Sequence, residues 1–458
     1  MRCNSQVCLH VIFISTLLAL AGCGGSSNSS SQQPTGVSVS GSPPSAIGVG
    51  ANYQYAASVT GSSNQAVTWT ISPAGSGTID ATSGLYIAPL TVPNPATVTI
   101  TATSQADSSM SASTTLTIQA SDPIGMVSGL TPLGSCLGSL PGGACYQMTV
   151  SCPGVADINT YLKVNNPTNT PVGTVLFGVG TGGSGLYDDP NSSGFSEGEI
   201  TVQNVLAANY NTVQVSFGAP FTDTQTNGWL QGPGGVRRVA CRYATVANWV
   251  YNNPKTINQS PNNTATTSAP MCATGNSGGS GAIAYAVYEY GLQSELAMIE
   301  PTSGPPMARI DQGCSPCSAG VVGPVCASSM NNPELCYESA DAAVIDEAYQ
   351  SSGASTPTPC STALNGGTAP TSLFQSDSIL YNPAGTKVPL SSTTVKLLFG
   401  DLDTSNAVPQ GMVWGESITP SSSSPSPIYA CIADAGHPIP DVEDGAKQIA
   451  SDIQALCH

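Results

Sequence analysis

The chain has 458 residues, of which only 8% are charged, and 27 Asp and Glu against 10 Lys and Arg give a formal net charge of −17. This charge would repel a phosphate backbone and argues against nucleic acid as a partner. The length exceeds that of one ordinary domain and predicts two or three.

The N-terminus predicts an exported protein. Arg2 precedes an apolar stretch, from about Val11 to Leu20, that is too short to span a bilayer comfortably and is typical of a signal peptide. We therefore predict a signal peptide over residues 1–22.

The end of this segment predicts a lipid anchor. The letters LAGC that end at Cys23 resemble the lipobox of bacterial lipoproteins, and this resemblance implies lipid attachment at Cys23. Gly24 stands where an inner-membrane retention signal usually carries Asp, so we expect the outer membrane or cell surface of a bacterium. Residues 23–35 are polar and rich in Gly and Ser, which predicts a flexible tether.

Residues 36–120 show a pattern typical of an all-β module. Short apolar and polar runs alternate between clusters of Gly, Pro, Asn and Ser, which predicts half-buried antiparallel strands. About seven such strands form a sandwich. The stretches AVTWTISPAGSGTIDATSGLYIAP and ATVTITATSQADSSMSASTTLTI resemble bacterial immunoglobulin-like domains. We expect a spacer, with adhesion or glycan binding as the alternatives.

The pattern changes after Asp122-Pro123. Strand-like runs alternate with helical stretches over residues 124–458, which predicts an α/β domain with a parallel sheet covered by helices. Between about 311 and 389 the alternation stops in a stretch dense in Cys, Ser, Thr and Pro. We predict a disulfide-stapled insertion there that shapes a substrate pocket.

Twelve of the fifteen cysteines follow the tether. An even number in an exported protein predicts a disulfide framework. A bridge between Cys431 and Cys457 would tie the last strand to the last helix. The alternative is a zinc site, which the oxidising compartment disfavours. Its ligands would be Cys314, Cys317, Cys326 and Cys336.

The five residues from Gly275 to Gly279 match the G-x-S-x-G pattern of a nucleophile elbow, with Ser277 at its centre. The flanking glycines permit a tight turn that lifts the serine above the sheet, and the following helix start favours negative charge beside it. A phosphate-binding P-loop would need a Lys after the glycines, and none follows. A linker would not precede AIAYAVYEYGL, whose small and apolar residues require burial. Ser277 is therefore the candidate nucleophile.

A second G-x-S-x-G match spans Gly194 to Gly198. It follows a polar segment instead of a strand, and Glu197 would place a carboxylate where an oxyanion must form. We interpret Ser196 as a chance match.

A glycine-rich loop follows the strand-like TVLFG. Gly178 to Gly183 match G-x-G-x-x-G, but Pro190 and further glycines prevent the helix that a dinucleotide-binding fold requires. Such a loop can instead turn N–H groups toward a developing oxyanion, as in esterases. The candidate oxyanion-hole donors are Gly182, Gly183 and Gly278.

The base is found by elimination among three histidines. His10 lies in the signal peptide, and His458 is the last residue. His437 stands between a strand-like run and the final helix, where it is placed to take the serine proton and return it to the leaving group.

A strand-like TTVKLLFG followed by acidic residues lies between Ser277 and His437. A serine, an acid and a histidine therefore occur in the chain order of α/β-hydrolases. Residues from about 125 to 458 resemble a secreted bacterial α/β-hydrolase of the serine esterase type. The resemblance implies that the acid lies three residues past Gly400, which is Asp403, and Asp401 is the alternative acid.

The resemblance further implies acyl-enzyme chemistry on a small-molecule or polymeric ester. Ser277 attacks the carbonyl carbon, His437 moves the proton, and Asp403 holds the imidazole. This chemistry needs no metal or other cofactor, and the lipid anchor would make the membrane a partner.

Two alternative functions remain. A peptidase of the same fold would commonly carry a propeller or an acidic pair that binds the substrate amine, and neither is evident in the sequence. A cell-surface adhesin with an inactive hydrolase domain would account for the immunoglobulin-like module, but the complete triad argues against it.

Overall fold

The computed structural model describes residues 33–458 except 42, 90, 192–193, 219–227, 318–333, 352–353, 381–387, 391 and 420–427. The predicted signal peptide, Cys23 and most of the tether lie outside these residues, as does Cys326. Among the described residues, none of the helices combines the length and apolar character needed to cross a membrane.

The N-terminal strands form what we call the β unit, residues 36–119. Its three small sheets have the orders β1-β4, β2-β9-β8-β5 and β3-β7-β6. The strands are β1 (Gly36–Ser40), β2 (Ala46–Gly48), β3 (Asn52–Gln54), β4 (Ala56–Thr60), β5 (Val67–Ser72), β6 (Thr78–Ile79), β7 (Leu85–Ile87), β8 (Thr97–Ser104) and β9 (Ser111–Gln119).

The alternating sequence of the β unit produces half-buried strands, as predicted. In β5 the side chains of Val67 and Trp69 are buried while Thr68 and Thr70 are exposed, because successive side chains point to opposite faces. One pairing differs from the expected antiparallel pattern: β2 runs parallel to β9, since the chain leaves the first sheet after β1 and joins the second sheet beside its last strand. The immunoglobulin-like character of the unit stays a prediction.

A nine-stranded mixed sheet dominates the rest of the described chain, in the order β10-β11-β12-β14-β13-β15-β16-β18-β20. Its strands are β10 (Met126–Leu133), β11 (Ala144–Ser151), β12 (Ile158–Asn165), β13 (Gly173–Gly178), β14 (Tyr210–Phe217), β15 (Met271–Asn276), β16 (Leu296–Thr302), β18 (Thr394–Gly400) and β20 (Ile428–Ile432). Two short strands, β17 (Val388–Pro389) and β19 (Ile418–Thr419), pair separately.

Six of these strands, from β14 to β20 in the sheet order, run parallel as predicted. The edge formed by β10, β11 and β12 is antiparallel instead. Short helix-free connections join these three strands, and a parallel connection would require a longer crossover.

Helices cover both faces of the large sheet, which agrees with the predicted α/β-hydrolase fold class. Side chains of α3 and α5 pack in one core cluster, and side chains of α1 and α11 pack in another. The helices are α1 (Gly198–Ala207), α2 (Val236–Val239), α3 (Cys241–Asn252), α4 (Pro254–Ile257), α5 (Gly278–Tyr288), α6 (Ile310–Gly313), α7 (Ser339–Glu347), α8 (Pro359–Leu364), α9 (Thr371–Asp377), α10 (Ala407–Ser417) and α11 (Glu443–Leu456).

The stretch predicted as an insertion, about 311–389, falls between β16 and β18. In place of strand and helix alternation it contains most of α6 and all of α7, α8 and α9. The bridges Cys314–Cys360 and Cys317–Cys336 lie within it. These three zinc-candidate thiols, Cys314, Cys317 and Cys336, are therefore engaged in disulfides and not available to a metal.

The predicted bridge between Cys431 and Cys457 is wrong. Cys457 pairs with Cys272, because the end of α11 packs beneath β15 in the same core cluster, a contact that sequence order does not reveal. Cys431 is disulfide-bonded as well. Two further bridges are Cys136–Cys145 and Cys152–Cys241.

Candidate active site

Ser277 lies at the turn between β15 and α5. Its φ is 52° and its ψ is −115°, a backbone conformation that residues with a Cβ rarely adopt. Two main-chain hydrogen bonds hold the turn: Ser277 N–H donates to the Thr302 carbonyl at 2.9 Å, and Gly281 N–H donates to the Ser277 carbonyl at 3.1 Å. The site therefore has the strand, strained turn and helix that the G-x-S-x-G motif requires.

The glycines after Ser277 are required by the close approach of the loop that follows β13. A Cβ on Gly278 would overlap the Thr181 carbonyl, and one on Gly279 would lie 2.6 Å from the Val179 carbonyl oxygen. Only glycine fits at these positions without a backbone shift. The loop after β13 consequently packs on the first turn of α5.

His437, after β20, is held by Asp403, after β18. The Nδ1 atom of His437 lies 3.0 Å from Oδ2 of Asp403. An ionised carboxylate only accepts, so Nδ1 carries the proton and Nε2 is left to accept one. The Asp403 side chain is fully buried whereas that of His437 is 35% exposed. The imidazole is therefore accessible from solvent while the carboxylate that holds it is not.

The environment of Asp403 keeps it ionised at neutral pH. Burial by itself would raise the pKa of Asp403, but hydrogen bonds with His437 and Ser405 outweigh burial and lower the pKa below its ordinary value. The carboxylate is therefore a charged acceptor for the Nδ1–H group.

The alternative acid, Asp401, forms no hydrogen bond or ion pair with His437, whose described partners are Asp403 and Ser405. Its main-chain N–H donates to the Ile432 carbonyl, and its Oδ1 atom is buried without a hydrogen-bond partner in the structure. Of the two candidate acids, the structure places Asp403 against the imidazole.

Ser277 and His437 line two cavities at the carboxyl edge of the sheet. The larger has a volume of about 730 Å³ and the smaller about 270 Å³. Thr181 and two α7 residues, Asp341 and Val344, line both cavities. Within the described part of the chain Ser277 Oγ makes no hydrogen bond to His437, and such contacts often tighten only when substrate binds.

The glycine-rich loop approaches Ser277 through Gly180 and Thr181, which precede the predicted donors Gly182 and Gly183. A Cβ on Gly180 would lie 3.7 Å from the Ser277 Cβ, and Thr181 lines both cavities with a φ of 48°. The Gly183 N–H donates to the Gly180 carbonyl at 3.0 Å, and the Gly182 carbonyl accepts from Trp229 N–H. The N–H of Gly183 is therefore used inside the loop.

Sequence reasoning missed two residues of the site. Ser405 places its Oγ 2.9 Å from His437 Nδ1, and its N–H donates to Asp403 Oδ1 at 2.9 Å. An Asp followed two residues later by Ser is typical of an Asx turn, which is the signal that identifies it. Asn276 accepts at Oδ1 from the Ile439 N–H, 3.3 Å away, and so joins the elbow to the histidine loop.

The second G-x-S-x-G match lies beside the larger cavity but differs in geometry. Ser196 is exposed in the turn before α1, and its N–H donates to Asp441 Oδ1 at 2.8 Å. Phe195 and Gly194 line the larger cavity whereas Ser196 does not. The described residues between β13 and α1 form no strand, in agreement with the interpretation of Ser196 as a chance match.

Comparison with known proteins identifies similar structures without matching sequences. No protein-family model and no curated protein matches the chain. Est1E from Butyrivibrio proteoclasticus is 8% identical over 69% of this chain and 97% of that chain, with a TM-score of 0.36. An esterase from Pyrobaculum calidifontis is 13% identical over 69% and 86%, with a TM-score of 0.40. Acetyl xylan esterase 1 from Thermoanaerobacterium sp. is 12% identical over 72% and 88%, with a TM-score of 0.38. At these identities and TM-scores the likeness assigns neither a substrate nor catalytic residues to this chain.

The contacts of His437 predict different effects for the two acids. Asp403→Asn should reduce ester turnover by about 10⁴-fold, because an amide no longer fixes the imidazole tautomer. Asp401→Asn should leave turnover within about threefold, since it does not reach the imidazole. The measurement is kcat on p-nitrophenyl acetate, with the unfolding temperature of both variants as control. A larger loss in Asp401→Asn than in Asp403→Asn would contradict the assignment.

Proposed function

We propose that the chain is a serine hydrolase that cleaves carboxylic esters through an acyl-enzyme on Ser277. The observation that carries this proposal is the meeting, at one pair of cavities, of a serine on a strained strand-to-helix turn and an imidazole held by a buried carboxylate. Nucleophile, base and orienting acid are the three groups that acyl transfer requires.

The proposed reaction has two halves. Ser277 Oγ attacks the ester carbonyl carbon while His437 Nε2 takes the hydroxyl proton, and the tetrahedral intermediate then breaks its bond to the alcohol oxygen, which receives that proton. In the second half water attacks the acyl carbon and gives a proton to the same nitrogen. The bond between the acyl carbon and Ser277 Oγ then breaks, Oγ receives that proton, and the acid is released. Asp403 stabilises the imidazolium formed in each half.

The proposed oxyanion donors are the N–H groups of Gly278 and Thr181. Gly278 is the first residue of α5, so its N–H lacks an acceptor inside the helix and the helix dipole favours negative charge beside it. The main chain of Thr181 packs directly on Gly278. In this proposal Thr181 takes the place of the predicted loop donors Gly182 and Gly183, because its main chain lies against Gly278 and the Gly183 N–H already donates to the Gly180 carbonyl. The loss of one such donor typically costs about 10²–10³-fold in kcat.

A peptidase of the same fold is the second candidate. The carboxylates of Glu338 and Asp341 line the smaller cavity beside Ser277, and acidic side chains are suited to bind a substrate amine. Faster hydrolysis of aminoacyl p-nitroanilides than of p-nitrophenyl acetate by the purified protein would favour this candidate.

We also propose that the chain is exported and lipid-anchored at Cys23, at the outer membrane or cell surface of a bacterium. The support is the N-terminal sequence together with the disulfides, which persist in oxidising compartments. Cys23→Ser should abolish partition of the mature protein into the detergent phase of a phase-separation assay. Unchanged partition would remove the anchor from the proposal.

Covalent labelling tests the nucleophile. The parent protein should react with a fluorophosphonate probe, and Ser277→Ala should abolish the labelling because no other activated hydroxyl is expected. Ser196→Ala is the matched control and should label as the parent does. Labelling that survives Ser277→Ala would contradict the proposal, and a parent that neither labels nor hydrolyses any ester would favour the adhesin alternative.

A further inference from the structure

The two cavities beside Ser277 differ in the residues that form their interiors. The smaller ends against the buried side chains of Met307, Ile345 and Ala407. The hydroxyl of Tyr337, which also lines it, donates to the Pro306 carbonyl at 2.9 Å, so the ring presents apolar surface. Glu338 and Asp341 also line the smaller cavity, and the part formed by Met307, Ile345, Ala407 and the Tyr337 ring offers the apolar surface that suits a hydrocarbon chain.

The larger cavity is mixed in character and acidic. Asp341, Glu347 and Asp441 line it together with the small polar residue Ser184 and the apolar side chain of Phe195. Its volume of about 730 Å³ lies within the range that holds a whole small-molecule ligand, whereas the smaller cavity lies just below that range.

Among the described residues that line the two cavities, none is a Lys or Arg. Several basic side chains of the described chain are instead bound in ion pairs elsewhere, as Lys163 is with Asp188 and Arg309 is with Asp311. Asp341 and Asp441 form no ion pair within the described part of the chain. Their carboxylates would repel a substrate that carries its own carboxylate or phosphate.

We propose that the smaller cavity takes the acyl chain of an uncharged aliphatic acid and that the larger cavity takes a bulkier polar alcohol without negative charge. The substrate class is thus an ester of an aliphatic acid with a large non-anionic alcohol. This inference rests on the proposed function, since both cavities acquire their roles from the acyl-enzyme at Ser277.

One variant in each cavity tests the assignment. Met307 lines only the smaller cavity, and Ala343, exposed on α7, lines only the larger. Met307→Trp should lower kcat/KM for ethyl octanoate at least tenfold and leave ethyl acetate unchanged. Ala343→Trp should do the reverse, lowering kcat/KM for acetate esters of bulky alcohols and sparing ethyl octanoate. Should Met307→Trp not fold, Ala407→Leu narrows the same cavity.

The opposite pattern, in which Met307→Trp selects against bulky alcohols, would overturn the proposal. Fluorophosphonate labelling at Ser277 separates this failure from failure of the proposed function. A protein that labels but shows no dependence on either variant refutes the cavity assignment alone, whereas a protein that does not label refutes the function itself.

The charge of the alcohol is tested with matched acetate esters. The 3,3-dimethylbutyl ester should be cleaved at least tenfold faster than an acetate ester whose alcohol carries a carboxylate, and added salt should narrow the difference. Asp441 lines the larger cavity only, and Asp441→Asn should lower the ratio of the two rates by about threefold. Glu338 lines the smaller cavity only, and Glu338→Gln is the control that should leave this ratio unchanged. Equal rates for the two esters would overturn the proposed charge selection.

A second inference rests on a different observation, the contacts of Asp377. This residue ends α9 and is 1% exposed. Its Oδ1 atom accepts from Asn52 Nδ2 at 2.8 Å, and its Oδ2 atom accepts from the Tyr349 hydroxyl at 2.7 Å. Its carbonyl accepts from the Tyr285 hydroxyl at 2.5 Å. Asp377 thus joins the β unit, the segment that follows α7, and the helix behind Ser277.

Buried charged side chains also hold the β unit against the rest of the chain. Arg237 donates to the Val49 carbonyl at 2.7 Å and pairs with Asp122 at 2.6 Å. Asp122 in turn accepts from the Gly48 N–H of β2 at 2.7 Å. Burial alone would lower the pKa of Arg237, but Asp122 and Glu289 outweigh it and raise the pKa. A buried charge pair is costly to break, which favours one fixed orientation of the unit.

We infer that the β unit is a fixed brace for α7, the helix that walls both cavities, and that Asn52 and Asp377 are positioning residues. A spacer that moves independently would not bury Asn52 against Asp377. The contact passes from Asn52 through Asp377 to Tyr349, which lies two residues after α7.

Hydrogen–deuterium exchange with kinetics tests this brace. Asn52→Ala should increase exchange in residues 339–347 and raise KM for esters of bulky alcohols about threefold with kcat little changed, because the cavity wall moves and the triad does not. Gln54→Ala is the control, since Gln54 is exposed on the same strand. Tyr349→Phe removes only one hydroxyl and should increase exchange in residues 339–347 as Asn52→Ala does. Unchanged exchange in both Asn52→Ala and Tyr349→Phe would overturn the inference.

Discussion

Parallel pairing of the strands from β13 to β20 is the constraint on which the site depends. Parallel strands end at one edge of a sheet, and the loops that follow them meet there. Thr181 follows β13, Ser277 follows β15, Asp403 follows β18 and His437 follows β20. These four residues lie far apart in the chain, and the parallel pairing of their strands brings them to the same edge of the sheet.

Close approach and burial then define the chemistry of that edge. The loop after β13 lies so near α5 that Gly278 has no room for a Cβ, and this proximity brings main-chain N–H groups beside Ser277. Asp403 is buried while His437 is partly open, so the carboxylate acts where water screens little and the imidazole still reaches the cavity. Asn276 links the two loops through Ile439.

The few buried basic side chains that the structure describes contribute to packing and do not line the two cavities. The chain has only 10 Lys and Arg in 458 residues. Within the part of the chain that the structure describes, the buried cations have structural partners, as in the fully buried pair of Lys163 and Asp188 at 2.7 Å. Arg237 serves the β unit in the same way. These cations thus stabilise packing, while acidic side chains such as Asp341 line the cavities of the candidate site.

The sequence by itself determined the α/β class of residues 124–458 and the candidate nucleophile and base, because a glycine-flanked serine and one available histidine are local patterns whose chain order is visible. It left the acid open between Asp403 and Asp401. Tertiary structure alone decided that the Gly183 N–H donates within its own loop, that Cys457 bridges to Cys272, and that Asn52 meets Asp377. These outcomes depend on which surfaces pack together across the fold, and packing between distant segments leaves no periodic trace in the chain.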